Sequence, residues 1–317
     1  MSHVTTDITS AASALQEGKL VAFATETVYG LGADATNAKA VANIFEAKGR
    51  PSFNPLIIHV TSLKEAEKLG VFNDDAHKLA AALWPGALTL VVPRTPDCPV
   101  SKLASAGLRS IAIRVPGHAQ AQELLRLAGC PLAAPSANVS GHISPTRPSH
   151  VIDGLGDVIW GVLDGGKCEI GLESTIVSCL KDKPVILRPG SITAEQMARL
   201  LDKQIGMFSG STNDPIAPGQ MASHYAPNAL VRLNAKEAMP GEAYLAFGKK
   251  EPEAYMIRNL SPSKNLAEAA ANLFDMLHTL DMLGAESIAV APIPNEGLGV
   301  AINDRLSRAA APRDDDE

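Results

Sequence analysis

Apolar positions along this chain follow two periods, so short strands alternate with amphipathic helices. Residues 7–17 carry helical spacing and stop at Gly18, a residue suited to a helix C-cap, and Leu20–Ala24 is an apolar run of strand length. Asn37 is placed to cap a helix running to about Ala47, with Val41, Ile44 and Phe45 on one side and Gly49 at its end. Leu56–Val60 reads as a strand, and Ser62 with Glu65 forms a capping-box pattern before the next helix. Strands follow at about 88–92 and 111–115, a helix at 118–128, short strands near 132–134, 157–163, 175–179 and 184–188, and a helix after Ser191. The pattern predicts an α/β domain over residues 1–205.

The periodicity lapses between 206 and 228. Met207-Phe-Ser-Gly-Ser-Thr-Asn-Asp-Pro-Ile-Ala-Pro-Gly219 is rich in turn formers and predicts a linker. Beyond it, residues 229–317 read as a smaller α/β domain with strands near 230–233, 243–247 and 287–291. They surround a helix at about 264–283, where Leu266, Ala269, Ala270, Leu273, Phe274, Leu277 and Leu280 make a continuous stripe. A last helix covers roughly 298–310, before an acidic tail, Pro312-Arg-Asp-Asp-Asp-Glu317. No internal repeat is present.

Composition narrows the function class. With 317 residues, 46% apolar and 20% charged, the chain predicts a soluble protein of two domains. Aromatic residues make up only 4%, few for a protein that stacks single-stranded bases. No apolar stretch is long enough to span a bilayer, and Met1-Ser-His-Val-Thr-Thr-Asp7 has no signal-peptide character. Cys98, Cys130, Cys168 and Cys179 lack CxxC spacing, so the reading is a cytoplasmic protein with free thiols. The net charge of −6 falls entirely after residue 205: 19 basic and 19 acidic residues precede that point, against 9 and 15 beyond it. Global charge therefore does not indicate nucleic-acid binding, while a basic cleft in the first domain remains open.

Small polar and basic clusters sit at the edges of the apolar runs. They are Thr25-Glu-Thr-Val-Tyr-Gly-Leu-Gly32, Lys48-Gly-Arg50, Asn54-Pro-Leu-Ile-Ile-His59, Arg114 and Pro135-Ser-Ala-Asn-Val-Ser-Gly141. Together they offer cations, amides and hydroxyls without a nucleophile–base pair or a metal cage, chemistry suited to holding a polyphosphate beside a small anion. Each also has a plainer reading. Lys48 and Arg50 could only compensate a helix dipole, although Asn54, Pro51 and Pro55 make the following loop rigid. The loop from Pro135 to Thr146 could be a surface turn or a hydroxyl-rich cradle for phosphate or ribose. His59 alternates with apolar neighbours and has no second His or Cys at ligand spacing. Arg114 ends a strand, where burial would demand an anionic partner, and a substrate carboxylate would match its fork. Gly161-Val-Leu-Asp-Gly-Gly-Lys-Cys168 imitates a Walker A loop, but Cys replaces the Mg²⁺-binding hydroxyl and no helix start follows.

Taken in order, these clusters resemble the signature of the YrdC-type threonylcarbamoyl-adenylate synthases. The likeness extends through Gly171-Leu-Glu-Ser-Thr-Ile176, Leu187-Arg-Pro-Gly190, Ser223-His-Tyr-Ala-Pro227 and Gly297-Leu-Gly-Val-Ala-Ile-Asn-Asp-Arg305, covers nearly the whole chain, and is to the two-domain form. Ala24 departs from the proline common before Thr25.

The resemblance implies a YrdC-like twisted-sheet domain, a linker over residues 206–228 acting as a lid, and a smaller Rossmann-like domain. It implies a nucleotidyltransferase that makes threonylcarbamoyl-AMP and pyrophosphate from L-threonine, bicarbonate or CO₂, and ATP with Mg²⁺. The product would serve t⁶A modification of tRNAs reading ANN codons, through downstream tRNA threonylcarbamoyl-transferase machinery, with room for a weak contact to tRNA itself and no membrane role. Threonine is expected at Thr27, His59, Arg114, the Ala134 backbone and Ser174. ATP is expected at Arg50, Asn54, Ser110, Ser136, Ser144, Arg188 and Tyr225, with Lys48 and Asn138 completing the polar cleft. The rival readings are an RNA-binding regulator and a related O-carbamoyltransferase of metalloenzyme maturation, whose larger relatives carry zinc-finger and acylphosphatase segments not found here.

Overall fold

The computed structural model describes residues 3–208, 218, 224–249 and 252–312. Its first unit runs β1 (His3–Thr5), α1 (Ile8–Gln16), β2 (Val21–Phe23), β3 (Gly30–Asp34), α2 (Ala38–Lys48), β4 (Ile57–His59), α3 (Leu63–Glu67), α4 (Asp74–Leu83) and β5 (Leu88–Pro93). It continues through β6 (Ser110–Arg114), α5 (Ala119–Ala128), β7 (Leu132–Ala133), α6 (Pro148–Leu155), β8 (Gly161–Leu163), β9 (Thr175–Ser178), β10 (Val185–Arg188), α7 (Ala194–Leu201) and β11 (Gly206–Met207). These strands form one mixed sheet in the order β1-β8-β2-β3-β7-β4-β6-β5-β9-β10-β11. Gly206–Met207, the first residues of the expected linker, pair parallel with β10 and so belong to the sheet.

The second unit contains β12 (Leu230–Arg232), β13 (Ala243–Ala246), β14 (Met256–Asn259), α8 (Leu266–Met282), β15 (Ser287–Val290) and α9 (Leu298–Ala309). Its sheet, β12-β15-β13-β14, is parallel throughout, as a Rossmann-like unit requires. Most of the expected linker (209–217 and 219–223) and the acidic tail (313–317) lie outside the described residues.

Local chemistry explains the helices that position the site. Asp7 caps α1 by accepting from the Thr9 and Ser10 amides at 3.0 and 3.2 Å. Asn37 caps α2 in the same way, and Gly49, with φ of 57°, turns the chain out of that helix between Lys48 and Arg50. One core lies between the sheet and α2 and α4, and a second packs α1 and α5 on strand β2. Helices α4 and α6 and strands β1 and β14 went unassigned in the sequence. The strands span three or four residues, and α6 opens on Pro148 and lasts only eight.

The two units share apolar surface. Val28, Ile143 and Leu172 of the first are buried in the same cluster as Leu273, Phe274 and Leu277 of α8. Arg147 makes a two-point bond to Asp275 at 2.6 and 3.0 Å, Lys167 adds a contact at 3.1 Å, and His150 stacks on His278 with centroids 3.9 Å apart. Burial would raise the Asp275 pKa, but the hydrogen bonds from Arg147 and Lys167 outweigh it and bring it down to about 2. Between these contacts Gly171, with φ of 72°, presses on α8. A Cβ there would lie 2.6 Å from the Ala270 carbonyl oxygen and 2.7 Å from Ala271 Cα.

Gly171→Ala should therefore loosen the docking of α8, costing about 2 kcal/mol or more through strain and overlap. The checks are a lowered Tm and faster proteolysis between the units; unchanged values would show that α8 tolerates a displacement.

Candidate active site

A pocket opens where strand ends of the first unit meet the returning chain at His224–Tyr225. It is lined by Thr25, Thr27, Val28, Gly30, Ile57, His59, Ala134, Pro135 and Ser136, and by Arg50, Arg114, Glu173, Ser174, Arg188, Pro218, His224 and Tyr225.

The segment after β2 is a folded hydrogen-bond chain. Arg114 Nη1 donates to Thr27 Oγ1 at 2.9 Å, the two threonine hydroxyls lie 2.7 Å apart, and Thr25 Oγ1 donates to the Val28 carbonyl at 2.7 Å. The Thr25–Gly32 cluster, expected on a loop, ends within β3 at Gly30–Gly32. The loop from Pro135 is zipped to this segment by bonds from Leu31 N to Pro135 O, from Ala137 N to Tyr29 O and from Tyr29 N to Pro145 O.

Lys48 and Arg50 point to different tasks. The Lys48 ammonium is buried and donates to the carbonyls of Ser136 (2.6 Å) and Asn138. Burial and the neighbouring Arg50 hold its pKa well below the usual lysine range. Arg50 reaches the pocket and donates backward to the carbonyls of Asn54 and Pro55 at 3.3 and 3.0 Å. Burial, assisted by the charge of Arg188, lowers its pKa to about 10. Arg188 hangs on Ser174, with bonds of 3.2 and 3.0 Å to its carbonyl and 3.3 Å to its hydroxyl. Three cations thus keep their direction through neutral acceptors.

In the same pocket, β4 and β6 pair in parallel and set His59 beside Arg114. Burial, then the Arg114 charge, drive the His59 pKa to about 3, and its Nδ1 has no partner among the described residues. Arg114 uses three donors within the chain: Nε to the Gly86 carbonyl, Nη1 to Thr27 and Nη2 to Glu26 at 2.6 Å. A guanidinium has five N–H groups, so donors remain for a ligand. The anionic partner that burial demands is thus already supplied by Glu26. Burial would raise the Glu26 pKa, but Arg114 holds it below the usual carboxylate value.

Of the expected threonine contacts, Thr27, His59, Arg114, Ala134 and Ser174 all line the pocket; so do Arg50, Ser136, Arg188 and Tyr225 of the ATP set. Lys48, Asn54, Ser110, Asn138 and Ser144 do not form its wall. Asn138 spends its amide on the Val139 and His142 carbonyls, and Ser144, fully buried, donates to Glu173. Ser110 opens β6, two residues before Ala112, which pairs with Ile57 of the wall.

Glu26, Glu173, His224 and Arg305 are the residues that sequence reasoning left without a role. Glu173 accepts from Ser144 and, at 2.7 Å, from Arg305 of α9. Arg305 also lies 5.1 Å from the Tyr225 ring centroid, and Phe274 stacks on that ring at 5.6 Å. Burial drives the His224 pKa to about 3. All but His224 carry charge inside quoted motifs, and that was the available signal. The Walker-like segment is no P-loop: Gly161–Leu163 is β8, no helix follows, and burial pushes the Cys168 thiol up to about 12.

Among the described residues no group of three His, Cys, Asp or Glu gathers to hold a metal.

Residues 13–190 match the Sua5/YciO/YrdC family model, described as Telomere recombination, and residues 192–311 match the model of the threonylcarbamoyl-AMP synthase C-terminal domain. The threonylcarbamoyl-AMP synthase of Bacillus subtilis is 41% identical over 96% of this chain and 93% of its own. That of Pyrococcus abyssi is 38% identical over 96% and 94%. The crystal structure of P. abyssi Sua5 complexed with L-threonine superposes with a TM-score of 0.90 at 35% identity, covering 98% of this chain and 97% of that one. The two family models and these relatives, which together span nearly the whole chain, place it in the Sua5/YciO/YrdC family, in its two-domain threonylcarbamoyl-AMP synthase form.

Proposed function

We propose that this chain is an L-threonylcarbamoyladenylate synthase, joining L-threonine, bicarbonate or CO₂, and ATP into threonylcarbamoyl-AMP with release of pyrophosphate, for t⁶A modification of tRNAs reading ANN codons. The observation that carries the reading is the gathering of His59, Arg114 and Ser174 in one pocket with Arg50 and Arg188, two cations held in place by neutral acceptors. The full-length similarity to the B. subtilis and P. abyssi synthases supports it.

The chemistry runs in two stages. The threonine amine adds to CO₂ and loses a proton, giving a carbamate. The carbamate oxygen then attacks the α-phosphorus of ATP in line, and the bond to the pyrophosphate oxygen breaks. The second stage asks mainly for positioning and for cations where charge gathers.

In this reading the free donors of Arg114 bind the threonine carboxylate, while Thr27, Ser174 and the Ala134 backbone hold its polar groups. His59, neutral at working pH, serves as a hydrogen-bonding wall rather than a proton shuttle. Arg50 and Arg188 face the phosphates, with Asn54, Ser110, Ser136, Ser144 and Tyr225 completing the nucleotide side. Lys48 and Asn138 act by fixing the loop that carries Ser136. Mg²⁺ comes with ATP as part of the substrate. Of the lid expected over residues 206–228, Gly206–Met207 belong to the sheet, and in this reading His224–Tyr225 cover the pocket, so that water is kept from a labile mixed anhydride. A cytoplasmic location, delivery to a tRNA threonylcarbamoyl-transferase and a weak tRNA contact belong to the same proposal; no helix among the described residues is long and apolar enough to cross a membrane.

The primary test is pyrophosphate release from ATP dependent on both threonine and bicarbonate, with serine as the comparison amino acid; release indifferent to threonine would refute the reading. Arg114→Ala should raise the threonine KM by about a hundredfold, the loss of a charge-assisted pair, and leave ATP affinity nearly intact. Lys48→Met should lower turnover about tenfold and also lower the Tm, since it frees the 136–138 loop, whereas Arg50→Ala should lower turnover without the same thermal loss. Equal Tm changes in the two variants would contradict the separate roles assigned to them.

A further inference from the structure

Glu173 poses an electrostatic problem. Its carboxylate forms part of the pocket wall yet is only 5% exposed. On the reading above, that wall receives a polyphosphate, and a fixed negative charge there would oppose it. Burial would raise the Glu173 pKa, but Arg305 and then Arg188 hold it below the usual carboxylate value. One carboxylate oxygen accepts from Ser144, and the other accepts from Arg305 Nε at 2.7 Å.

Arg305 belongs to the second unit and is 1% exposed. Its Nη1 bonds Asp304 at 2.6 Å, its guanidinium carbon lies 5.1 Å from the centre of the Tyr225 ring, and its Nη2 is buried without a partner among the described residues. Docking alone does not account for this arrangement. The units are already joined by shared apolar surface and by Arg147 and Lys167 on Asp275, away from the pocket wall. A fully buried ion pair is, besides, a poor source of stability, since desolvation offsets its attraction.

We propose that Arg305 is a positioning residue for the nucleotide half of the pocket. It neutralises and orients Glu173, and it braces the Tyr225 ring. The second unit then contributes a charge to the site as well as a cover. The inference rests on the synthase reading, and it makes the ATP side, not the threonine side, depend on α9.

The test measures pyrophosphate release with ATP and threonine varied separately, in the full chain, for Arg305→Met, Glu173→Gln and the double variant. Arg305→Met leaves Glu173 without its paired cation, only the charge of Arg188 remaining nearby, and should raise the ATP KM about tenfold or more, with the threonine KM changed by less than about threefold. The double variant should recover most of the ATP KM, because the opposing charge is gone, while the threonine KM, which a general loosening of the fold would also raise, stays within about threefold in all three variants. An unchanged ATP KM in Arg305→Met, or a double variant no better than the single one, overturns the proposal. If Arg305→Met does not fold, Arg305→Lys and Arg305→Gln replace it. Lys should keep the ATP KM within about threefold and Gln should raise it, and equal values for the two overturn the proposal. The unaltered protein is assayed alongside. No threonine-dependent release from it defeats the synthase reading, whereas normal release with unaffected variants defeats only the role of Arg305.

Discussion

Cations held out of water must be partnered by the chain that buries them, and around this pocket most of the partners are uncharged. Lys48 is fixed by two carbonyls, Arg50 by two carbonyls and Arg188 by a serine carbonyl and hydroxyl. A carbonyl orients a cation without cancelling its charge, so the field of these side chains remains available to a ligand. Two carboxylates do intervene, Glu26 at Arg114 and Glu173 at Arg305. The result is a site whose dipoles and charges are set before a substrate enters, which suits catalysis by preorganised electrostatics.

The constraint reaches into the architecture. The carbonyls that hold these cations, those of Ser136, Asn138, Asn54, Pro55 and Ser174, all lie outside the strands. The pocket accordingly forms at the ends of β2, β4, β6 and β7: His59 and Arg114 are the last residues of β4 and β6, and Thr25–Tyr29 and Pro135–Ser136 follow β2 and β7. A cavity lined by strand ends needs a roof, and the second unit supplies one. Phe274 of α8 stacks on Tyr225, and Val28, Ile143 and Leu172 of the first unit reach into the second unit's core. Standing alone, the first unit would expose those apolar side chains to water.

Much of this was legible in the sequence because local chemistry governs it. Asn37 and Gly49 marked both ends of α2, and the stripe from Leu266 to Leu280 marked α8. The wall residues were legible because they occupy loops just past apolar runs, where side chains are free to face a ligand. What escaped depends on distant pairing. Glu26 meets Arg114 across 88 positions, and Glu173 meets Arg305 across 132. No periodicity links such residues, and a lone acid in a polar loop resembles any solvated acid. Lys48 was legible as a cation beside the cleft, but its fixation on the Ser136 and Asn138 carbonyls was not. Strand β14 and the two-residue β11 are visible only through their neighbours, since neither is long enough to carry an alternation.

Ser144 joins the two halves of this account. Its hydroxyl bonds the pocket carboxylate of Glu173, and its backbone carbonyl lies 3.3 Å from His278 Nε2 on α8. One residue therefore touches both the ligand wall and the interface between units. Linkage requires that, if a bound nucleotide tightens the grip of α8, a firmly seated α8 tightens the grip on nucleotide by the same free energy. In such a molecule, seating of the second unit and filling of the pocket are a single equilibrium read from two sides.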